Sequence, residues 1–249
     1  MAKSLLLVFG GPTAPEHEEE VHRWYERHLE QMCELPGITA AHLYRPSAKQ
    51  FPRTTADLPQ MLAVYEYDTI DLATDIEALA AARRDGSLTA LPEGAYAFDP
   101  NYQSAYYNLV SSSPPVEGWT LDGPAIFMVF GGPTKPALEE EILRWYVDGH
   151  LEQIVSLPGF TAGHLLRPST AQLPEAAPDK FPGVLAFYDF DETDLATSID
   201  AAWKAHLEGM KRGTYEPGVS IPGPVQGVWA LDPQHQSAFY ELVTRRTRA

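Results

Sequence analysis

The chain has 249 residues, 44% of them apolar, with 18 lysines and arginines against 34 aspartates and glutamates, for a formal net charge of −16. That length accommodates one large domain or two small ones, and so acidic a chain argues against a nucleic-acid or anionic-membrane partner. The single cysteine, Cys33, excludes a disulfide framework and a thiolate metal site, and its place in a helical apolar pattern predicts a buried thiol.

The first element is Leu5-Leu6-Leu7-Val8-Phe9, a continuous apolar run that reads as a buried strand stopped by Gly10-Gly11-Pro12-Thr13. The run is too short for a signal-peptide core, and it reappears as Ile126-Phe127-Met128-Val129-Phe130, where no signal could act. With no apolar run of membrane-spanning length, the expected location is the cytoplasm. A helix begins near Glu18, where Glu18, Glu19 and Glu20 suit the positive end of the helix dipole. Val21, Trp24, Tyr25, His28 and Met32 recur at spacings of three and four and form one face. Pro36-Gly37 ends the helix. Residues 38–44 form a second strand whose alternation puts Ile38, Ala40, His42 and Tyr44 on one face. A polar loop over 45–60, a strand over 61–67, a helix over 71–82, a long loop and a strand over 104–110 complete the half. The order is β-α-β-β-α-β, a ferredoxin-like split unit.

Ser111-Ser112-Ser113-Pro114-Pro115 opens a linker, and the second half repeats the order. Its strands are expected at 126–130, 160–166, 184–190 and 237–243, with helices over 139–156 and 194–208. The duplication is explicit. Phe9-Gly10-Gly11-Pro12-Thr13, Trp24-Tyr25 and His28-Leu29-Glu30-Gln31 return as Phe130-Gly131-Gly132-Pro133-Thr134, Trp145-Tyr146 and His150-Leu151-Glu152-Gln153. Asp71-Leu72-Ala73-Thr74 likewise returns as Asp194-Leu195-Ala196-Thr197. The domains are therefore 1–113 and 125–249, joined by a linker over 114–124. Two departures stand out. Trp24 and His28 are four apart, whereas Trp145 and His150 are five apart with Gly149 as the extra residue, which calls for a π-bulge or a break. The loop before the last strand is also longer in the second half, Gly213 to Gln236, and its length suggests a lid or arm.

The motif Trp145-Tyr146-Val147-Asp148-Gly149-His150-Leu151, with Trp24-Tyr25-Glu26-Arg27-His28-Leu29 matching it less one residue, resembles the dimeric α/β-barrel superfamily and, within it, the EthD-like proteins. The resemblance covers both halves. It implies an α+β fold in which two tandem ferredoxin-like repeats form an intramolecular dimeric α/β-barrel, where relatives pair two subunits. Such relatives include cofactor-free oxygenases, polyketide cyclases, lactone isomerases and haem enzymes, so the fold does not select the reaction.

Four histidines are the candidate catalytic groups. His28 and His150 lie on the helix face that should meet the sheet, where an apolar setting favours a neutral imidazole ready to take a proton; a core histidine bonded to a carbonyl is the alternative. His42 and His164 lie on the second strands. If their face is the one under the helix, each approaches the helix histidine and can share acid and base work; otherwise they are structural, at the interface of the two sheets. Trp24, Trp145, Tyr65, Tyr188, Tyr107 and Tyr240 are candidate substrate contacts, the phenols as donors to a developing oxyanion. Arg45 and Arg167, each before Pro-Ser, could hold a carboxylate or enolate, and Glu66 and Asp189 could orient a histidine.

No histidine pair carries a carboxylate at dedicated metal spacing, and Phe-Gly-Gly-Pro lacks the pattern of a phosphate-cradling loop. The reading is a cofactor-independent enzyme that uses histidine acid–base chemistry on a small apolar carbonyl or phenolic compound, by isomerisation, elimination or cyclisation. His150 is favoured because its half keeps the family spacing. The competing classes are a non-catalytic protein that holds a hydrophobic metabolite or serves as an accessory to a partner enzyme, and a haem or metal redox enzyme with His28 or His150 as ligand. Edge strands leave a homodimer of the fused chain open.

Overall fold

The computed structural model describes residues 2–52, 54, 58–100, 104–115, 121–174, 183–191, 194–212, 229–231 and 237–248. The first half runs β1 (Ala2–Pro12), α1 (Glu18–Cys33), β2 (Ile38–Pro46), β3 (Met61–Thr69), α2 (Leu72–Asp85), β4 (Tyr96–Phe98) and β5 (Ser104–Ser113). The second runs β6 (Ala125–Pro133), α3 (Glu139–Trp145), a π-helical turn (Tyr146–His150), α4 (Leu151–Val155), β7 (Phe160–Pro168), β8 (Val184–Phe190), α5 (Leu195–Arg212), β9 (Trp229–Leu231) and β10 (Ser237–Thr247). Apart from β9, the long loop expected over 213–236 lies outside the described residues.

Two expectations are corrected at strand ends. Gly10, Gly11 and Pro12 do not stop β1 but pair with Phe98, Ala97 and Tyr96 of β4. Ser111, Ser112 and Ser113 are not linker but the end of β5, paired with Leu165, His164 and Gly163 of β7. In both cases the partner strand supplies the ladder, and no local pattern announces it.

All pairings are antiparallel, and they close. The first half is ordered β2-β3-β1-β5 and the second β7-β8-β6-β10; β5 pairs with β7, and β10 pairs with both β6 and β2. Eight strands thus form a ring whose two seams each join one half to the other. Among the described residues only the short β4 and β9 keep an unpaired edge, so strand-edge pairing with a second chain has little to use.

Alternation in β1 explains the layers. Leu5, Leu7 and Phe9 face the lumen together with Ile126, Met128 and Phe130 of β6. Leu6 and Val8 face outward onto α1 residues Val21, Tyr25 and Leu29. The second half builds a matching outer layer from Phe127, Tyr146, Leu151 and Tyr188. Each strand therefore buries both faces, as its continuous apolar run requires.

The halves also exchange arms after β2 and β7. Gln50 bonds both backbone groups of Phe239, its Nε2 donating to the carbonyl at 2.8 Å and its Oε1 accepting the N–H at 2.7 Å. Gln172 treats Tyr106 in the same way, at 2.8 and 2.9 Å. Phe51 thereby packs on Phe127, Trp203 and Phe239 of the other half, and Leu173 enters the first half's outer layer.

One expected face is wrong. A register shift between Ile38 and Ala40 turns the strand, so Ile38 packs under α1 while Tyr44 faces the lumen. A bulge inserts one residue and breaks the period-two rule.

The extra residue in the second half produces the expected π turn, with Gly149 at φ 153°. An alanine there would carry a Cβ into a backbone region closed to it. Gly149→Ala is expected to lose roughly 1–3 kcal/mol of stability, read as a lower midpoint in denaturant titration with an unchanged slope.

Candidate functional site

The three- and four-residue spacing of α1 turns Trp24, Tyr25 and His28 toward the outer face of β1 and β3. There they meet Tyr65 of β3, Tyr96 of β4 and Arg83 in the last turn of α2, around a cavity of about 410 Å³. Leu6, Val8 and Met32 supply its apolar floor, a composition and size usual for small-molecule sites.

His28 is the polar centre of this cavity and is 9% exposed. The Trp24 ring lies over its imidazole, centroids 4.4 Å apart and planes 16° apart, and Tyr65 meets it edge-on at 6.2 Å. Burial pushes the imidazole down to about 4, with the Arg83 cation acting in the same direction. The ring is therefore neutral near pH 7. Its Nδ1 is buried without a hydrogen-bond partner, a costly state unless something else fills that role.

The phenols around it are held as donors. Tyr25 and Tyr96 share a hydrogen bond at 3.0 Å. Burial pushes Tyr25 well above the ordinary phenol value and Tyr96 up to about 12. Tyr96 lies against the backbone of Gly10, where a Cβ would come within 2.3 Å of the phenol oxygen. The Gly-Gly pair in the motif thus makes room for an aromatic side chain. The cavity's other wall is pinned to α1. The Trp24 indole N–H donates to the Thr89 carbonyl at 3.2 Å, and Gln31 accepts the Thr89 N–H at 2.9 Å.

The second half repeats the stack and changes the rest. Trp145 and His150 lie 3.9 Å apart with planes 19° apart. The π turn brings residues five apart onto one face, as an α-helix does for residues four apart. Burial among its neighbours also pushes His150 down to about 4, although the residue keeps a partly open edge; His206 adds to the shift, and the Gln153 hydrogen bond opposes it. His206 stands twelve residues after Asp194, as Arg83 does after Asp71. The decisive difference is Gln153. Its Oε1 lies 2.7 Å from His150 Nδ1, so this imidazole is satisfied where His28 is not. Phe127 stands where the first half has Leu6, and the Phe51 arm packs on it.

Several sequence-predicted site residues lie elsewhere. His42 and His164 do not approach the helix histidines; they belong to the lumen face, because the bulge sets the phase of each strand. His42 Nε2 meets Glu66 at 2.7 Å, and Glu66 also accepts the Leu121 N–H at 2.8 Å. His164 meets Asp189 at 3.4 Å and Ser112 at 2.9 Å. The two carboxylates do sit against histidines, but inside the ring. Tyr107 and Tyr240 also face the lumen, away from the cavity. Tyr188 is buried beside Phe127 and Phe160. Arg45 lines a separate groove of about 650 Å³ and is already paired with Glu241 at 3.4 Å; the smaller cavity is favoured because His28, with its unpartnered Nδ1, opens onto it. Arg167 is exposed.

Sequence reading missed Tyr25, Tyr96 and Arg83 as cavity residues. Tyr25 had a signal, its place in the duplicated Trp-Tyr pair. Arg83 had a fainter one, a basic or titratable residue at the same offset in each half. Tyr96 had none, since β4 is too short to read. Among the described residues no three His, Cys, Asp or Glu side chains converge. No helix among them is long and apolar enough to cross a membrane.

No family model matches the chain, and no curated protein matches it in sequence. Solved structures do resemble it. An anthrone oxidase-like protein superposes with a TM-score of 0.56 at 16% identity, covering 100% of this chain and 94% of its own. A candidate monooxygenase from Fusobacterium nucleatum subsp. nucleatum ATCC 25586 superposes with a TM-score of 0.52 at 11% identity, covering 100% and 96%. At these identities the shared property is the fold.

The low histidine values have a thermodynamic consequence. A folded value of about 4 against an unfolded value of 6.5 means that the unfolded chain binds more protons between those limits. Stability is then complete above pH 6.5 and is lost as pH falls toward 4. His28→Gln is expected to flatten this acid slope by up to about 1.4 kcal/mol per pH unit, checked by denaturant titrations at stepped pH.

Proposed function

We propose that the chain is an enzyme of small-molecule metabolism whose active site is the first-half cavity, with His28 as the proton acceptor. The observation that carries this reading is the buried, unpartnered Nδ1 of a neutral imidazole lining an aromatic cavity. The earlier preference for His150 is reversed, because Gln153 occupies the corresponding nitrogen. We also read the two halves, 1–113 and 125–249, as tandem ferredoxin-like repeats joined through the linker over 114–124, with the Trp-Tyr…His-Leu motif resembling that of EthD-like proteins.

The substrate is a small, mostly apolar carbonyl or phenolic compound. The cavity floor shields it from water, and Trp24 fixes the imidazole plane. His28 takes a proton from a carbon next to the carbonyl or from a phenol, and the electron pair left behind spreads onto the substrate oxygen. A phenol held protonated, Tyr96 backed by Tyr25, donates a hydrogen bond to that oxygen. The imidazole is a weak base while the site is empty. The anion formed beside it stabilises the imidazolium, and this raises its basicity when it is needed. Returning the proton to a different carbon completes an isomerisation.

The structural neighbours, described as oxidase-like and as a candidate monooxygenase, favour a second outcome of the same first step. In it the carbanion passes its electrons to dioxygen and takes the proton back from His28 as a hydroperoxide, and loss of water from that adduct leaves a new carbonyl, so one oxygen atom stays on the substrate and the other leaves as water. Oxygen uptake separates the two outcomes, and an absorption spectrum of the purified protein would reveal a haem.

His28→Gln is expected to lower kcat by 10²–10⁴-fold, while His150→Gln stays within a few fold of the parent. The assay is turnover of aromatic ketones and phenols, followed by deuterium exchange and by oxygen consumption. Full activity in His28→Gln would remove the assignment.

A further inference from the structure

His28 and His150 each carry a glutamine three residues on, an offset that places it beside the imidazole on a helix. Gln153 uses that reach, with its Oε1 2.7 Å from His150 Nδ1. Gln31 is turned the other way. Its Oε1 accepts the Thr89 N–H at 2.9 Å, and its Nε2 donates to the Ser87 carbonyl at 3.3 Å. Both partners belong to the segment that follows α2. Gly86 ends that helix in the left-handed region, at φ 80°. Ser87 then bonds Asp85 through its N–H and its hydroxyl, and the N–H of the buried Leu88 donates to the Ala82 carbonyl at 3.3 Å. The second half is built differently at this point. Counted from the duplicated Asp71 and Asp194, Gly86 to Thr89 correspond to residues 209–212, and α5 runs on through them to Arg212. The equivalent N–H is therefore taken up inside the helix.

From this contrast we infer that Gln31 is a positioning residue, and that the end of α2 decides whether His28 is open. Held by Ser87 and Thr89, the carboxamide stays off the imidazole, and Nδ1 keeps its lone pair for an incoming proton. Released, Gln31 turns back as Gln153 does, accepts an N–H from Nδ1 and fixes the ring's proton on the nitrogen that must receive one. The same segment, Leu88 to Leu91, lines the cavity, and the Thr89 carbonyl also holds the Trp24 indole N–H. A wall in place and an open imidazole are thus one condition, and a cavity whose wall lifts loses its base. The inference rests on His28 being the acceptor of the proposed reaction, and the test separates the two.

The experiment is heteronuclear NMR of the imidazole nitrogens in the full chain, without added ligand, at pH 7, where both rings are neutral. The His28 and His150 signals are assigned by their loss in His28→Gln and His150→Gln. In the parent the two rings are expected to be opposite tautomers, His28 protonated on Nε2 and His150 on Nδ1. Thr89→Pro removes the N–H that holds Gln31 and is expected to shift His28 toward the Nδ1–H form by about threefold to tenfold, the weight of one hydrogen bond. Adding Gln31→Leu to Thr89→Pro is expected to return His28 to Nε2–H, because leucine has no oxygen to offer; damage to the segment alone would not be reversed. Gln153→Leu is the independent check, in which His150 is expected to move to Nε2–H. The inference is overturned by a His28 already protonated on Nδ1 in the parent, by no shift in Thr89→Pro, by a shift that survives Gln31→Leu, or by a His150 that keeps Nδ1–H in Gln153→Leu. If Thr89→Pro does not fold, the parent and Gln153→Leu spectra still decide it. Turnover is read separately: full activity in His28→Gln removes the acceptor role and leaves the tautomer result standing.

Discussion

Ring closure is the constraint on which the rest depends. Each four-stranded sheet is apolar on both faces, so neither can remain half covered. A helix pair covers one face of each sheet. The other face has no partner within its own half and finds the opposite sheet, and the β5–β7 and β10–β2 seams seal the contact. Once closed, the ring leaves few unpaired backbone edges and holds the outer layers at fixed registers. The cavity beside His28 is a gap in one of these layers, framed by strands that cannot move independently.

The polar groups inside the ring follow the same logic. His42 with Glu66 and His164 with Asp189 are buried at matching strand positions, each imidazole facing a carboxylate. The linker breaks the symmetry. Leu121 enters the lumen, gives its N–H to Glu66 and has its carbonyl held by Arg245 at 3.3 Å. Each duplicated histidine thus has a carboxylate partner inside the ring, while His42 Nδ1 stays buried without one. The Leu121 contacts secure the segment between β5 and β6 against β3 and β10.

Near-symmetry makes the difference between the two helix histidines informative. Both stack on a tryptophan and both are held neutral by burial. They part at the glutamine three residues on. Gln31 spends its amide on the loop at Ser87 and Thr89, whereas Gln153 turns back to its own histidine. The same four-residue motif therefore leaves one imidazole open and closes the other. The inserted Gly149 accompanies the closed one, so the half with the π turn holds the imidazole whose Nδ1 is satisfied.

Much of this was legible from residue patterns. The doubled motif, the order of long strands and helices, the burial of Cys33, the π turn at Gly149 and the helix face bearing Trp24 and His28 all follow from period and repetition, which are local properties. Other features required the tertiary structure. The bulge after Ile38 decides which face His42 takes, and a one-residue shift of this kind leaves no mark on composition. The strands β4 and β9 exist only because β1 and β6 offer an edge, and β4 brings Tyr96 to the cavity. Arg83 reaches His28 through the packing of α2, far from it in sequence. The sequence by itself determined the elements and their duplication, because these depend on neighbours along the chain; the site was decided only in three dimensions, because an imidazole is open or satisfied according to which distant groups fold against it.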